Sequence, residues 1–122
     1  MGFILLLEHV RTKERHLMGI WFIQTWMVNK DKIKEHDELW GDWLKYLMKS
    51  NTKSIKYFRQ KFHPKRERIL IIQFENLAGY ENFFSKLYED EKNRKFRDCW
   101  NKLHDIDTWK GIFWDDKTPT RV

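Results

Sequence analysis

Ile20-Trp21-Phe22-Ile23-Gln24-Thr25-Trp26-Met27-Val28 decides the fold. The run is β-branched and aromatic with no turn former inside it, which is the signature of a strand. Ile20, Phe22, Trp26 and Val28 fall on one side, and Trp21, Ile23 and Met27 on the other. A strand covered on one face alternates apolar with polar. This one is apolar on both sides, so it reads as a central strand covered on both faces.

Residues 67–75 repeat the pattern, with Ile69 and Ile71 on one parity and Leu70, Ile72 and Phe74 on the other. Residues 54–62 differ. They carry Lys56, Arg59, Gln60 and Lys61, and charge of that kind protects an edge strand from stray pairing. His63-Pro64-Lys65-Arg66 joins the two as a hairpin connection. Residues 108–114 make the last strand, with Gly111 a bulge or a point of close approach.

Helical spacing fills the gaps. Over residues 30–49, Ile33, His36, Trp40, Trp43, Leu44 and Leu47 make one stripe, with Asn29 or Asp31 available as cap. From Asn76 to His104, Leu77, Tyr80, Phe83, Phe84, Leu87 and Tyr88 form a stripe that Phe96, Cys99, Trp100 and Leu103 resume. This predicts one bent helix or two short ones, with Cys99 a buried thiol.

The order is therefore βαββαβ, the split βαβ arrangement of ferredoxin-like folds. The expected class is α+β: a four-stranded antiparallel sheet with helices on one face. Its first and third strands are central and its second and fourth are edges. Helices on one face leave the other uncovered, and a bare apolar sheet face is an aggregation hazard. The economical cover is the same sheet of a second subunit. Ile69 and Ile71 are the residues expected at that homodimer interface.

Composition agrees. A chain of 122 residues suits one domain, and 41% hydrophobic with 34% charged residues excludes disorder. A net charge of +6 permits an anionic partner without demonstrating one. The domain is expected over 18–116. Residues 1–17 read as an N-terminal extension, with Met18 as a natural start, and 117–122 as a loose tail. The extension holds Arg11, Lys13 and Arg15 against Glu8 and Glu14, so the basicity belongs to the body. One cysteine, Cys99, allows no intrachain disulfide and points to the cytoplasm. No apolar run reaches the roughly 20 residues of a spanning helix, so no membrane partner is expected.

Ile20 to Leu39, IWFIQTWMVNKDKIKEHDEL, resembles the opening strand and helix of NIPSNAP-like proteins. Phe74 to Leu103, FENLAGYENFFSKLYEDEKNRKFRDCWNKL, is similar to their second helical half: an F-x-(S/N)-L-x-x-Y-x-x-F run, an acidic break, then W-x-x-L. The resemblance covers most of residues 20–114. Two positions depart from the pattern: Lys30-Asp31 stands where Pro-Gly is frequent, and His36 where an aromatic is. With the antibiotic-biosynthesis monooxygenases, these proteins form the dimeric α+β barrel superfamily. The resemblance implies that barrel, a homodimer, and a pocket between helices and sheet. It also implies a cofactor-independent monooxygenase, or a haem-binding and haem-degrading enzyme, as an alternative to simple ligand binding.

His36 is the sharpest catalytic candidate. Its place on the helix stripe aims it at the sheet, where it would serve as a base or haem ligand. The plainer reading is a buried, hydrogen-bonded histidine. Glu35 and Asp37 are its neighbours in sequence and should point elsewhere on a helix. Trp26, Trp40, Trp43, Trp100, Trp109 and Trp114 line a cavity for a flat apolar ligand or simply fill the core and interface. Gln24 shares the parity of Trp26, marking a polar spot in a pocket or a contact across the dimer. Tyr57 and Arg59 share a parity, on a face left open. The expected site is a cavity between helix and sheet, with His36 at its polar end, tryptophans on its walls, and Gln24, Tyr57 and Arg59 adding polar groups.

Other chemistries lack their residues. His104-Asp105-Ile106-Asp107 and Asp115-Asp116 offer no spaced convergent ligand set, so neither metal nor other cofactor is expected. RNA-recognition domains share βαββαβ order, but their third strand carries a glycine and stacking aromatics. Ile69 and Ile71 occupy those positions here, so nucleic acid is not the expected partner. There is no phosphate loop and no nucleophile elbow. The reading is a small cytoplasmic protein that binds a small apolar or aromatic molecule.

Overall fold

A computed structural model describes residues 19–50 and 52–117. The expectations for residues 1–17, for Met18 and for 118–122 lie outside the described residues. The elements are β1 (Ile20–Val28), α1 (Ile33–Leu47), β2 (Ser54–Arg59), β3 (Glu67–Phe74), α2 (Leu77–Glu89), α3 (Glu91–Trp100) and β4 (His104–Asp115). The sheet order is β2-β3-β1-β4, and all neighbours are antiparallel. The two strands that are apolar on both sides are central, and the charged strand is an edge.

Several boundaries moved for local reasons. α1 begins after Lys32, without a side-chain cap. The Asn29 amide instead donates to the Lys102 carbonyl at 3.4 Å. The second helical region is two helices. Asp90, at φ −83° and ψ 118°, leaves the helical region and caps α3 by accepting from the Lys92 amide at 2.9 Å. Asn76 caps α2 by accepting from the Gly79 amide at 2.8 Å. β4 starts four residues earlier than its apolar pattern suggests. His104 and Asp105 pair with Val28 and Met27, and the register then jumps so that Lys110 pairs with Thr25. Residues 106–109 form the resulting bulge. Gly111 itself is the point of close approach.

The core lies between the sheet and the helices. Trp26, Val28, Leu70, Ile72 and Phe74 rise from the sheet to meet Trp40, Trp43, Phe83 and Trp100. Burial of each such side chain contributes roughly 2 kcal/mol. Among the described residues the other face carries no helix. Its central row runs Lys56, Ile71, Ile23, Ile112, flanked by Phe58-Ile69-Thr25-Lys110 and Ser54-Gln73-Trp21-Trp114. Phe58, Ile112 and Trp114 on this face are 48%, 51% and 56% exposed. Ile69 and Ile71 lie here, half-buried by their neighbours.

Candidate functional site

His36 does not open onto a cavity. It is fully buried, and both ring nitrogens are engaged. Nε2 accepts from the Trp26 indole at 2.9 Å. An indole N–H only donates, so Nε2 carries no proton and the neutral ring is protonated at Nδ1. Nδ1 in turn meets Asp37 Oδ1 at 3.2 Å. Asp37 is thus the carboxylate partner that helix geometry argued against. Arg68 explains the position: its Nε and Nη2 hold the carboxylate at 3.2 Å and 3.0 Å, with Arg59 at 3.4 Å on the outer oxygen. The carboxylate of α1 is thus tied to β3 through Arg68 and to β2 through Arg59.

Burial lowers the His36 pKa to about 4, against a smaller opposing pull from Asp37. Burial alone would raise Asp37, but hydrogen bonds from His36 and Arg68 outweigh it and hold the carboxylate below its usual value. A histidine in this state is neither a ready base nor a free ligand. The open polar end assigned to His36 is corrected to a closed network, Trp26–His36–Asp37–Arg68. Haem ligation through His36 does not fit, because no ring nitrogen is available.

A cavity does exist between helices and sheet, and none of Trp26, His36, Asp37 and Arg68 lines it. Its volume is about 380 Å³. Its walls are Trp40 and Trp43 from α1, Trp100 from α3, Phe22 from β1, Phe84 from α2 and Phe113 from β4. Three tryptophans define one end: ring centroids lie 4.4 Å apart for Trp40–Trp43 and 5.5 Å for Trp43–Trp100 and Trp40–Trp100. Gln24 lines this cavity, so its parity marks a pocket. Its side-chain oxygen accepts from the Trp109 indole at 3.1 Å. Trp109 reaches it from the bulge by lying across Gly111, the register partner of Gln24. A Cβ on Gly111 would fall 2.7 Å from Trp109 Cη2 and 2.8 Å from Phe22 Cε1, so only glycine permits this crossing.

The other expected site residues are elsewhere. Trp26 is core packing beneath Trp40 and does not line the cavity. Tyr57 stacks on Trp40, centroids 5.3 Å apart, and does not line the cavity; burial pushes its pKa up. The Arg59 side chain is 65% exposed at the Asp37 cluster. Trp114 sits on the uncovered face. Cys99 is exposed, because α3 turns Asn93, Phe96 and Trp100 inward and leaves Cys99 outside that stripe.

Asn93 and Arg97 line the cavity and were missed by pattern reading. Both sit in a charged stretch, and neither is apolar. The available signal was their spacing of four, in phase with Phe96 and Trp100. A larger cavity of about 640 Å³ lies between the end of α1 and α2. Of its charged lining residues, Lys49, Lys53, Lys86 and Glu75 are exposed, and Asp90 is already engaged by the Tyr46 hydroxyl and the Lys92 amide, so they do not form a built site. Among the described residues no three His, Cys, Asp or Glu side chains cluster to hold a metal, and no helix is long and apolar enough to cross a membrane.

The four-stranded antiparallel sheet with helices on one face is a ferredoxin-like α+β arrangement. Among solved structures the fold is that of the NIPSNAP proteins. One of unknown function from Agrobacterium tumefaciens is 18% identical, with a TM-score of 0.68 over 82% of this chain and 89% of that one. A second from the same organism is 17% identical, with a TM-score of 0.70 over 87% and 94%. SnoaB, a cofactor-independent oxygenase from Streptomyces nogalater, is 7% identical, with a TM-score of 0.62 over 79% and 90%. No family model and no curated protein matches the sequence.

Proposed function

We propose that this protein is a homodimer in which each subunit binds a small, flat, largely aromatic molecule in the cavity between helices and sheet. The cavity carries the reading. Its roughly 380 Å³ is walled by stacked and edge-on aromatic rings, with a few polar groups at defined places, the pattern of a small-molecule site. The dimer is supported by the apolar row Ile71–Ile23–Ile112, flanked by Trp21, Phe58 and Trp114, which one subunit leaves uncovered. A cytoplasmic setting is supported by the single, exposed Cys99.

Trp40, Trp43, Trp100 and Trp109 line the cavity, so occupancy should quench or shift intrinsic fluorescence. Titration with a panel of two- and three-ring aromatics tests the site, and a panel that leaves the emission unchanged refutes it. A second reading, cofactor-independent oxygenation, is supported by the fold shared with SnoaB. Oxygen uptake with phenolic members of the same panel tests it, and binding without uptake removes it.

A further inference from the structure

The polar groups of the cavity differ in kind, and the difference selects a ligand. Gln24 and Asn93 each present an amide at the wall, and in both the oxygen is already used. Gln24 Oε1 accepts from Trp109 at 3.1 Å, and Asn93 Oδ1 accepts from Trp43 at 3.0 Å. Both donors are indoles, which cannot accept, so each amide orientation is fixed by its partner. What remains on each residue is an NH2 group with no hydrogen-bond partner. Asn93 is only 6% exposed, and its NH2 keeps part of that small surface. Arg97 follows one helical turn later. Its guanidinium packs 5.9 Å from the Tyr88 ring and has no carboxylate partner among the described residues. Two more indole N–H groups of lining residues, on Trp40 and Trp100, are buried without an acceptor. Among the described residues no Asp, Glu or His lines the cavity. Apart from the Tyr80 and Tyr88 hydroxyls, which donate as well as accept, the polar side chains of the wall offer mainly donors, and Arg97 adds a cation.

We infer that the ligand of this cavity is an aromatic anion, held with its ring system among Trp40, Trp43 and Trp100 and its charged oxygen on Arg97 and the Asn93 NH2. The inference rests on the reading of the cavity as the ligand site and names the chemistry that site selects. A charged acceptor satisfies a buried amide donor and a guanidinium together, and such charge-assisted bonds are about twice as strong as neutral ones. A neutral hydrocarbon of the same shape leaves both donors bare, which costs free energy.

Paired probes test it: naphthoate and its neutral isostere naphthamide, titrated into the full chain and followed by tryptophan quenching and calorimetry. Naphthoate should bind at least about tenfold more tightly. Arg97→Gln should erase that preference by weakening naphthoate far more than naphthamide, and Arg97→Lys should restore part of it. Asn93→Asp keeps an acceptor for Trp43 but puts a carboxylate where the donor was, so it should reverse the preference. Equal binding of the two probes, or a preference that survives Arg97→Gln, overturns the oxyanion assignment and leaves the cavity as a site. Binding of neither probe overturns the cavity reading and this inference with it.

Discussion

Lowering the pH from about 7.5 to about 5 should destabilise this protein through His36, and His36→Gln should remove that part of the sensitivity. His36 has an ordinary value of 6.5 in the unfolded chain and about 4 in the fold. Its folded value is depressed, so protons bind preferentially to the unfolded state. Stability is complete above the unfolded value and is lost as the pH falls through the window between the two. At pH about 5 the loss from His36 is about 2 kcal/mol, rising toward about 3 kcal/mol below pH 4. Burial lowers His104 as well, and its loss runs in the same direction. Asp37 is held below its ordinary 3.8, so its contribution persists across this window and fails only under stronger acid. Comparison with His36→Gln isolates the His36 share, because glutamine still offers an oxygen to the Trp26 indole but does not titrate. Urea unfolding followed by fluorescence, at fixed protein concentration because self-association would make stability depend on it, should show the wild type losing about 2 kcal/mol more than the variant. Parallel curves for the two proteins, or an NMR titration placing the ring near its ordinary value, would refute the closed-network account.

Ile71→Asp puts a charge in the middle of the uncovered sheet face; burying it unpaired would cost several kcal/mol, so ultracentrifugation should find monomer or unfolded chain. A variant that remains a folded dimer contradicts sheet-to-sheet packing. Gly111→Ala places a methyl 2.7 Å from Trp109 and 2.8 Å from Phe22. Overpacking of that kind costs about 1–3 kcal/mol, so Tm should fall and Trp109 should lose its bond to Gln24; an unchanged Tm and emission spectrum would argue against the crossing. Haem added to the protein should give no Soret shift that depends on His36, and a shift abolished by His36→Ala would show the ring is free after all.

The βαββαβ order, the identity of the central strands and the inward stripe of α1 were all legible in the sequence. Each is a local periodicity. Two apolar parities in Ile20–Val28 and Glu67–Phe74 need no partner to be read, because side chains in a strand must alternate. The charge on Lys56 and Arg59 marked an edge for a similarly local reason. β4 was read short because three of its first four residues, His104, Asp105 and Asp107, are polar, and pairing with Met27 and Val28 depends on the neighbour.

The candidate site was legible only as a face. Gln24, Trp40 and Trp43 were placed on the correct side, yet the same stripe put His36 there too, and nothing in its spacing distinguished an open position from a closed one. That distinction comes from residues distant in sequence: Trp26 and Arg68 close around His36 and Asp37, while Trp43 takes the oxygen of Asn93 from fifty residues away. Asn93 and Arg97 look like solvated helix surface until α3 packs beside α1. Periodicity says which way a side chain points. Whether it meets a void, a hydrogen-bond donor or a counter-charge is set by the element packed opposite, and only the tertiary structure decides that.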